Sequence, residues 1–158
     1  MGVNLFCVIL ANCEEKMADN WREVSATWKG GLDFTGENDK GGTVQLGPKD
    51  KSIGPMQLLL VGLAGCTGID IISILEKKKV APTDFKVKVR DKRANTFPMV
   101  YTDIEVEYLL WGDNLRTRDV EQAIKLSEQK YCSVSIMLSK TSKITSKYKI
   151  LKPGEAEV

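Results

Sequence analysis

The chain has 158 residues, 42% of them hydrophobic, a formal net charge of +2 and no histidine. That length suits one domain with a real core. Without histidine there is no Ser-His-Asp or Cys-His site and no His-ligated metal, and so small a charge does not point to a nucleic-acid or membrane partner.

Four cysteines are too few for a disulfide framework at this length, so a reducing cytoplasm is expected. No stretch is read as long enough to span a bilayer. Residues 1–20 are read as an N-terminal extension. Their apolar run Leu5–Ala11 has no basic residue before it, as a secretory signal would, and Phe6 removes a myristoylation signal at Gly2. The run is read as a short extra helix or strand, or as sequence upstream of a start at Met17, with Cys7 and Cys13 ordinary thiols. Residues 21–151 are expected to form a single domain and 152–158 a flexible tail.

Apolar and polar residues alternate from Trp21 to Trp28, which predicts a half-buried strand. Gly30-Gly31 marks a turn before a second strand, Leu32 to Gly36. The Asn38–Gly42 turn leads to a third, Thr43 to Leu46. Pro55 is suited to the first turn of a long helix. That helix is apolar nearly all round, so it should be the central buried one. Gly62, Gly65 and Gly68 each cost it about 1 kcal/mol relative to alanine, which suggests that a backbone or a substrate approaches closely. Lys77-Lys78-Lys79 reads as a solvated helix end, and Pro82 confirms the stop. Phe85–Arg93 and Val100–Leu110 alternate and should pair as an antiparallel hairpin. A helix capped by Thr117 runs to about Ser127, burying Val120, Ala123, Ile124 and Ser127. A short helix begins at Cys132 or Ser133, and Lys143–Leu151 closes the domain as a strand. The fold class is α+β, with antiparallel sheets packed around a long central helix.

Chemistry is concentrated in two cysteines. Cys66 stands in Gly65-Cys66-Thr67-Gly68-Ile69-Asp70 and Cys132 in Gln129-Lys130-Tyr131-Cys132-Ser133-Val134. Neither belongs to a metal-binding or Cys-x-x-Cys motif, so no metal site and no cofactor are expected. A reactive thiol must be partly thiolate, which a helix N-terminus or a cation promotes. Cys132 meets the first condition if it caps its helix. Cys66, inside a helix, needs activation from elsewhere. Asp70 shares its helix face, and a carboxylate there favours the neutral thiol; capping of a neighbouring element or pairing with a lysine is its plainer role. The competing reading makes both cysteines small apolar core residues.

The Pro-x-x-Leu-Leu-Leu…Gly-Cys-Thr-Gly-Ile-Asp helix, its Ile-Leu-Glu-Lys-Lys-Lys end, the hairpin and Ser-Glu-Gln-Lys-Tyr-Cys-Ser-Val-Ser-Ile-Met-Leu resemble the OsmC/Ohr family of osmotically inducible and organic hydroperoxide resistance proteins. The similarity runs from about Trp28 to Tyr148. The resemblance implies an interlaced homodimer with sites near the subunit boundary. It further implies a peroxidatic Cys66 and a resolving Cys132, which would reduce organic hydroperoxides and be recycled by an external dithiol reductant. Leu63, Ile69 and Met137 would favour an alkyl or fatty substrate. The family's activating arginine and its glutamate correspond to Leu32 and Met56 here. The acidic alternative of a sister subgroup corresponds to Gln57, an uncharged candidate for polar support. Lys29 and Arg22 are the candidate cations. A non-catalytic binding or stress-associated dimer is the alternative function. A third reading takes Gly65-Cys66-Thr67-Gly68 as a Gly-x-x-Gly loop for RNA, but no basic cluster surrounds it.

Overall fold

A computed structural model describes residues 21–157. The expectations for residues 1–20, including those for Cys7 and Cys13, lie outside the described residues. The chain divides into two compact units, one ending at Gly54 and the other beginning at Pro55.

The first unit contains β1 (Val24–Gly30), β2 (Asp33–Asn38) and β3 (Thr43–Leu46), an antiparallel sheet in the order β1-β2-β3. Gly30 and Gly31 both have positive φ, a backbone that only glycine adopts without cost, and they reverse the chain between β1 and β2. At the next turn the Asn38 side-chain oxygen accepts from the backbone N–H of Lys40 and Gly42, at 3.0 and 2.8 Å. This sheet leaves Val24, Trp28 and Leu32 exposed.

The second unit is built on α1 (Pro55–Lys77) and a sheet of β4 (Asp84–Arg93), β5 (Tyr101–Trp111) and β6 (Lys143–Leu151) in the order β4-β5-β6. β4 and β5 pair antiparallel, as expected. β6 runs parallel to β5, which corrects the all-antiparallel expectation. The cause is the connection. Residues 112–142 hold α2 (Thr117–Leu126), a π-helical turn (Ser127–Tyr131) and α3 (Ser133–Leu138), and a helical crossover returns the chain to the same end of the sheet.

One face of β4 carries Phe85, Val87 and Val89, which pack against a core of Leu63, Ile71 and Leu75 from α1 with Ile104, Val106, Tyr108 and Leu110 from β5. The other face is a lattice of charge. Arg90 binds Glu105 at 2.7 Å, Lys147 binds Glu105 at 2.9 Å, and Lys86 and Lys88 both reach Glu157. Arg90, then Lys147, hold the Glu105 carboxyl down to about 2. Beyond Leu151 the chain turns back, and the Trp111 indole N–H donates to the Glu155 carbonyl at 2.8 Å.

Four further details depart from the sequence reading. Helix α2 is capped at Arg116 without a side-chain bond, and Thr117 is its first helical residue. The lysines after α1 are not merely solvated: Lys78 Nζ reaches Asp119 at 2.8 Å and Gln122 at 2.6 Å. Helix α1 buries one stripe, Leu60, Leu63, Thr67, Gly68, Ile71 and Leu75, and leaves Leu59, Val61 and Ile69 exposed. At 23 residues it is also long and apolar enough to cross a membrane by length and composition, which corrects the expectation that no stretch reaches that length. Its buried stripe instead packs in the core beside the sheet.

Candidate active site

Cys66 and Asp70 lie one turn apart on α1, and so project from the same face. Cys132 arrives by a different route. After Leu126 the helix widens into the π-helical turn, a feature frequent at functional sites, and the Cys132 N–H donates to the Ser127 carbonyl at 2.8 Å. The backbone then becomes extended at Cys132, the N-cap of α3, whose sulfur accepts from the Ser135 N–H at 3.3 Å. The sulfurs of Cys66 and Cys132 and one Asp70 carboxylate oxygen all lie within 4.8 Å of one another. Two cysteines 66 positions apart in sequence thus meet.

Their surroundings differ. Cys132 is fully buried and belongs to the core, whereas Cys66 is partly accessible. Burial pushes the Cys132 thiol up to about 12, and its hydrogen bond with Cys66 adds to this, against the opposing backbone N–H of Ser135. Cys132 is therefore a protonated thiol at neutral pH.

Polar groups frame the pair. The Ser127 hydroxyl donates to Asp70 Oδ2 at 3.0 Å, where the sequence pointed to a helix cap or a lysine as the partner of Asp70. The buried Tyr108 hydroxyl donates to Glu128 Oε1 at 3.2 Å. Burial, opposed by Thr67, raises the Tyr108 phenol well above its ordinary range. The Thr67 hydroxyl donates to the Leu63 carbonyl at 2.9 Å. Ser127 was legible as a buried helix position; the Tyr108–Glu128 pair joins distant segments and had no local signal.

Two clefts open along α1, and neither is lined by Cys66 or Cys132. One of about 600 Å³ is lined by Ala64, Gly65, Ile69, Ile72 and Phe85 among others. The other, of about 370 Å³, is lined by Asp70, Ser73, Lys77, Leu126 and Tyr131 among others. Of the three apolar residues expected around the thiols, Leu63 is buried, whereas Ile69 and Met137 are exposed. Gly65-Cys66-Thr67-Gly68 lies wholly inside α1 with Thr67 and Gly68 buried, so it is not the exposed loop that RNA binding requires. Gly68 faces Phe85 and Val87 in ordinary contact, whereas among the described residues nothing lies within 4 Å of a Cβ placed at Gly62 or Gly65.

The remaining candidates are Gln57, Met56, Leu32, Lys29 and Arg22. Gln57 is exposed in the first turn of α1, nine residues before Cys66 or about 13 Å along the axis. Met56 packs on the core, and its carbonyl accepts from the Tyr101 hydroxyl at 2.6 Å, which pins that first turn. Leu32, Lys29 and Arg22 belong to the first unit, and Leu32 is exposed.

The OsmC-like protein family model matches residues 48–147. Protein YhfA of Escherichia coli K12 is 35% identical over 126 residues, covering 78% of this chain and 94% of that protein. A crystal structure of a hypothetical protein from Aquifex aeolicus VF5 superposes with a TM-score of 0.78 at 30% identity, covering 85% of this chain and 98% of that one. An organic hydroperoxide resistance protein OsmC from Legionella pneumophila shares the fold, with a TM-score of 0.63 at 16% identity and 84% and 98% coverage. With the α+β fold, the long cysteine-bearing helix and these matches together, the chain belongs to the OsmC-like protein family.

Proposed function

We propose that this protein reduces organic hydroperoxides through Cys66 and Cys132, working as a homodimer in the cytoplasm and protecting against oxidative stress. The observation that carries the reading is the meeting of the two sulfurs, one accessible and one sealed. In the proposed cycle the Cys66 thiolate attacks the peroxide O–O bond. The sulfur takes one oxygen and becomes a sulfenic acid, and the other oxygen leaves as the alcohol after protonation. Cys132 attacks the sulfenic sulfur, a disulfide forms and water departs. An external dithiol restores both thiols by exchange. The deeply buried, protonated Cys132 suits the resolving role, since it does not compete for peroxide. Ile69 and the apolar cleft beside it suit an alkyl group on the substrate. Gln57 is retained as polar support at the helix start.

The dimer reading is supported by the exposed Leu59, Val61 and Ile69 of α1 and Met137 of α3, an apolar surface of the kind that marks an interaction face.

A second reading, a binding protein without turnover, is favoured by one feature. A carboxylate oxygen of Asp70 lies within 4.8 Å of both sulfurs, and a carboxylate so placed opposes thiolate formation. Thiol counting separates the two. One equivalent of tert-butyl hydroperoxide should consume two thiols per chain within seconds. Cys66→Ser should abolish turnover, and Cys132→Ser should leave a sulfenic acid that dimedone traps. No thiol loss in the wild-type protein would leave only the binding reading.

A further inference from the structure

We propose that Cys66, Cys132 and Asp70 form a site for a thiophilic divalent cation of the zinc type, occupied when both cysteines are reduced. Two thiols and a carboxylate share a sphere in which every donor atom lies within 4.8 Å of the others. On a tetrahedral Zn²⁺ two thiolates stand about 3.8 Å apart, given Zn–S bonds of about 2.3 Å. Closing the triad onto a metal therefore needs movements of an ångström or less.

The electrostatics favour the same occupant. Two sulfurs and a carboxylate oxygen crowd together, and a cation placed among them is attracted by all three. The donor set, two sulfurs and one oxygen, suits a borderline-soft d¹⁰ ion rather than magnesium or calcium.

A supporting shell is already present. The Ser127 hydroxyl fixes one Asp70 oxygen and the Ser135 N–H points at the Cys132 sulfur, the outer contacts that orient metal ligands. Three protein ligands leave a fourth position open, and the cleft lined by Asp70 and Tyr131 gives water or a small ligand a way to it. Binding converts two thiols and the cation into a dithiolate complex and releases two protons. A Cys66–Cys132 disulfide removes both sulfur donors, so oxidation and metal occupancy exclude each other. The site itself does not depend on peroxide turnover.

The test uses the full chain carrying Cys7→Ser and Cys13→Ser, so that Cys66 and Cys132 supply the only thiols. Reduced protein is titrated with Cd²⁺ without peroxide. The expected result is an ultraviolet sulfur-to-cadmium charge-transfer band saturating at one equivalent. The band should vanish in Cys66→Ser and in Cys132→Ser, and Asp70→Ala should weaken affinity about tenfold or more. X-ray absorption of the Zn²⁺ form of the unsubstituted triad gives a readout independent of variant folding, with two sulfurs and at least one oxygen expected. No band, a shell with fewer than two sulfurs, or unchanged affinity in a folded Asp70→Ala protein would overturn the site. Hydroperoxide turnover with a chelator present is a separate measurement, so loss of one result leaves the other intact.

Discussion

At the residue scale, the two cysteines show how one residue type takes different character from its setting. Cys132 is a core residue by burial and an N-cap by geometry, and burial dominates its acidity. This fixes a sign for stability. A thiol whose folded value is raised to about 12 from an ordinary 9 favours folding fully below the ordinary value. That contribution is lost as pH rises toward the folded value, because the unfolded chain gives up its proton first. Metal-free reduced protein should therefore lose stability across this alkaline window. Cys132→Ala should flatten the slope of unfolding free energy against pH, as read from denaturant melts at a series of pH values. An identical slope in the variant would show that the thiol is not held neutral by the fold. The readable part of this residue was its helix-capping position; its depth was not, because it depends on β5 and α1, which the local segment does not contain.

At the element scale, α1 has two unlike faces. Its buried stripe recurs at Leu60, Leu63, Thr67, Ile71 and Leu75, the three-to-four spacing of a helix against a sheet. A second stripe, Leu58, Gly62, Gly65, Ile69 and Ile72, repeats at the same spacing and is exposed or only half-buried. The glycines distinguish the faces. A Cβ at Gly68 would meet Phe85 and Val87 at 3.4 and 3.6 Å, which is ordinary contact, whereas one at Gly65 would meet none of the described residues. Gly68→Ala should therefore raise stability by about 1 kcal/mol from helix propensity alone. Gly65→Ala should match it only if that face is bare. If a second subunit packs there, Gly65→Ala should weaken association while Gly68→Ala does not. Denaturant melts and dimer dissociation constants of the two variants measure both. Strand and helix bounds were largely legible, because alternation and capping are local. The parallel pairing of β6 and the π-helical turn were not, because the first follows from a crossover and the second from the packing of Ser127 and Cys132 together.

At the scale of the whole molecule, the exposed apolar surface outweighs what a lone chain should carry. In the first unit, Trp28 of β1 is 64% exposed and Leu32 in the turn after it 75%, and large apolar side chains left open together mark an interaction face. In the second unit, Ile69 is 73% and Met137 70% exposed, next to the only element that carries both Cys66 and Asp70. An interface over that face would bury apolar side chains worth about 1.5–3 kcal/mol each and would also shut water away from the thiols. Ile69→Glu places a charge at its centre, and an unpaired buried charge costs far more than the contact it replaces. Sedimentation equilibrium should find the wild-type protein dimeric and Ile69→Glu monomeric, with unchanged far-ultraviolet circular dichroism. If a second subunit also walls the thiol site, the variant should react more slowly with hydroperoxide at Cys66. A wild-type monomer with full activity would separate the two properties and leave the exposed stripe of α1 as the wall of a substrate cleft alone.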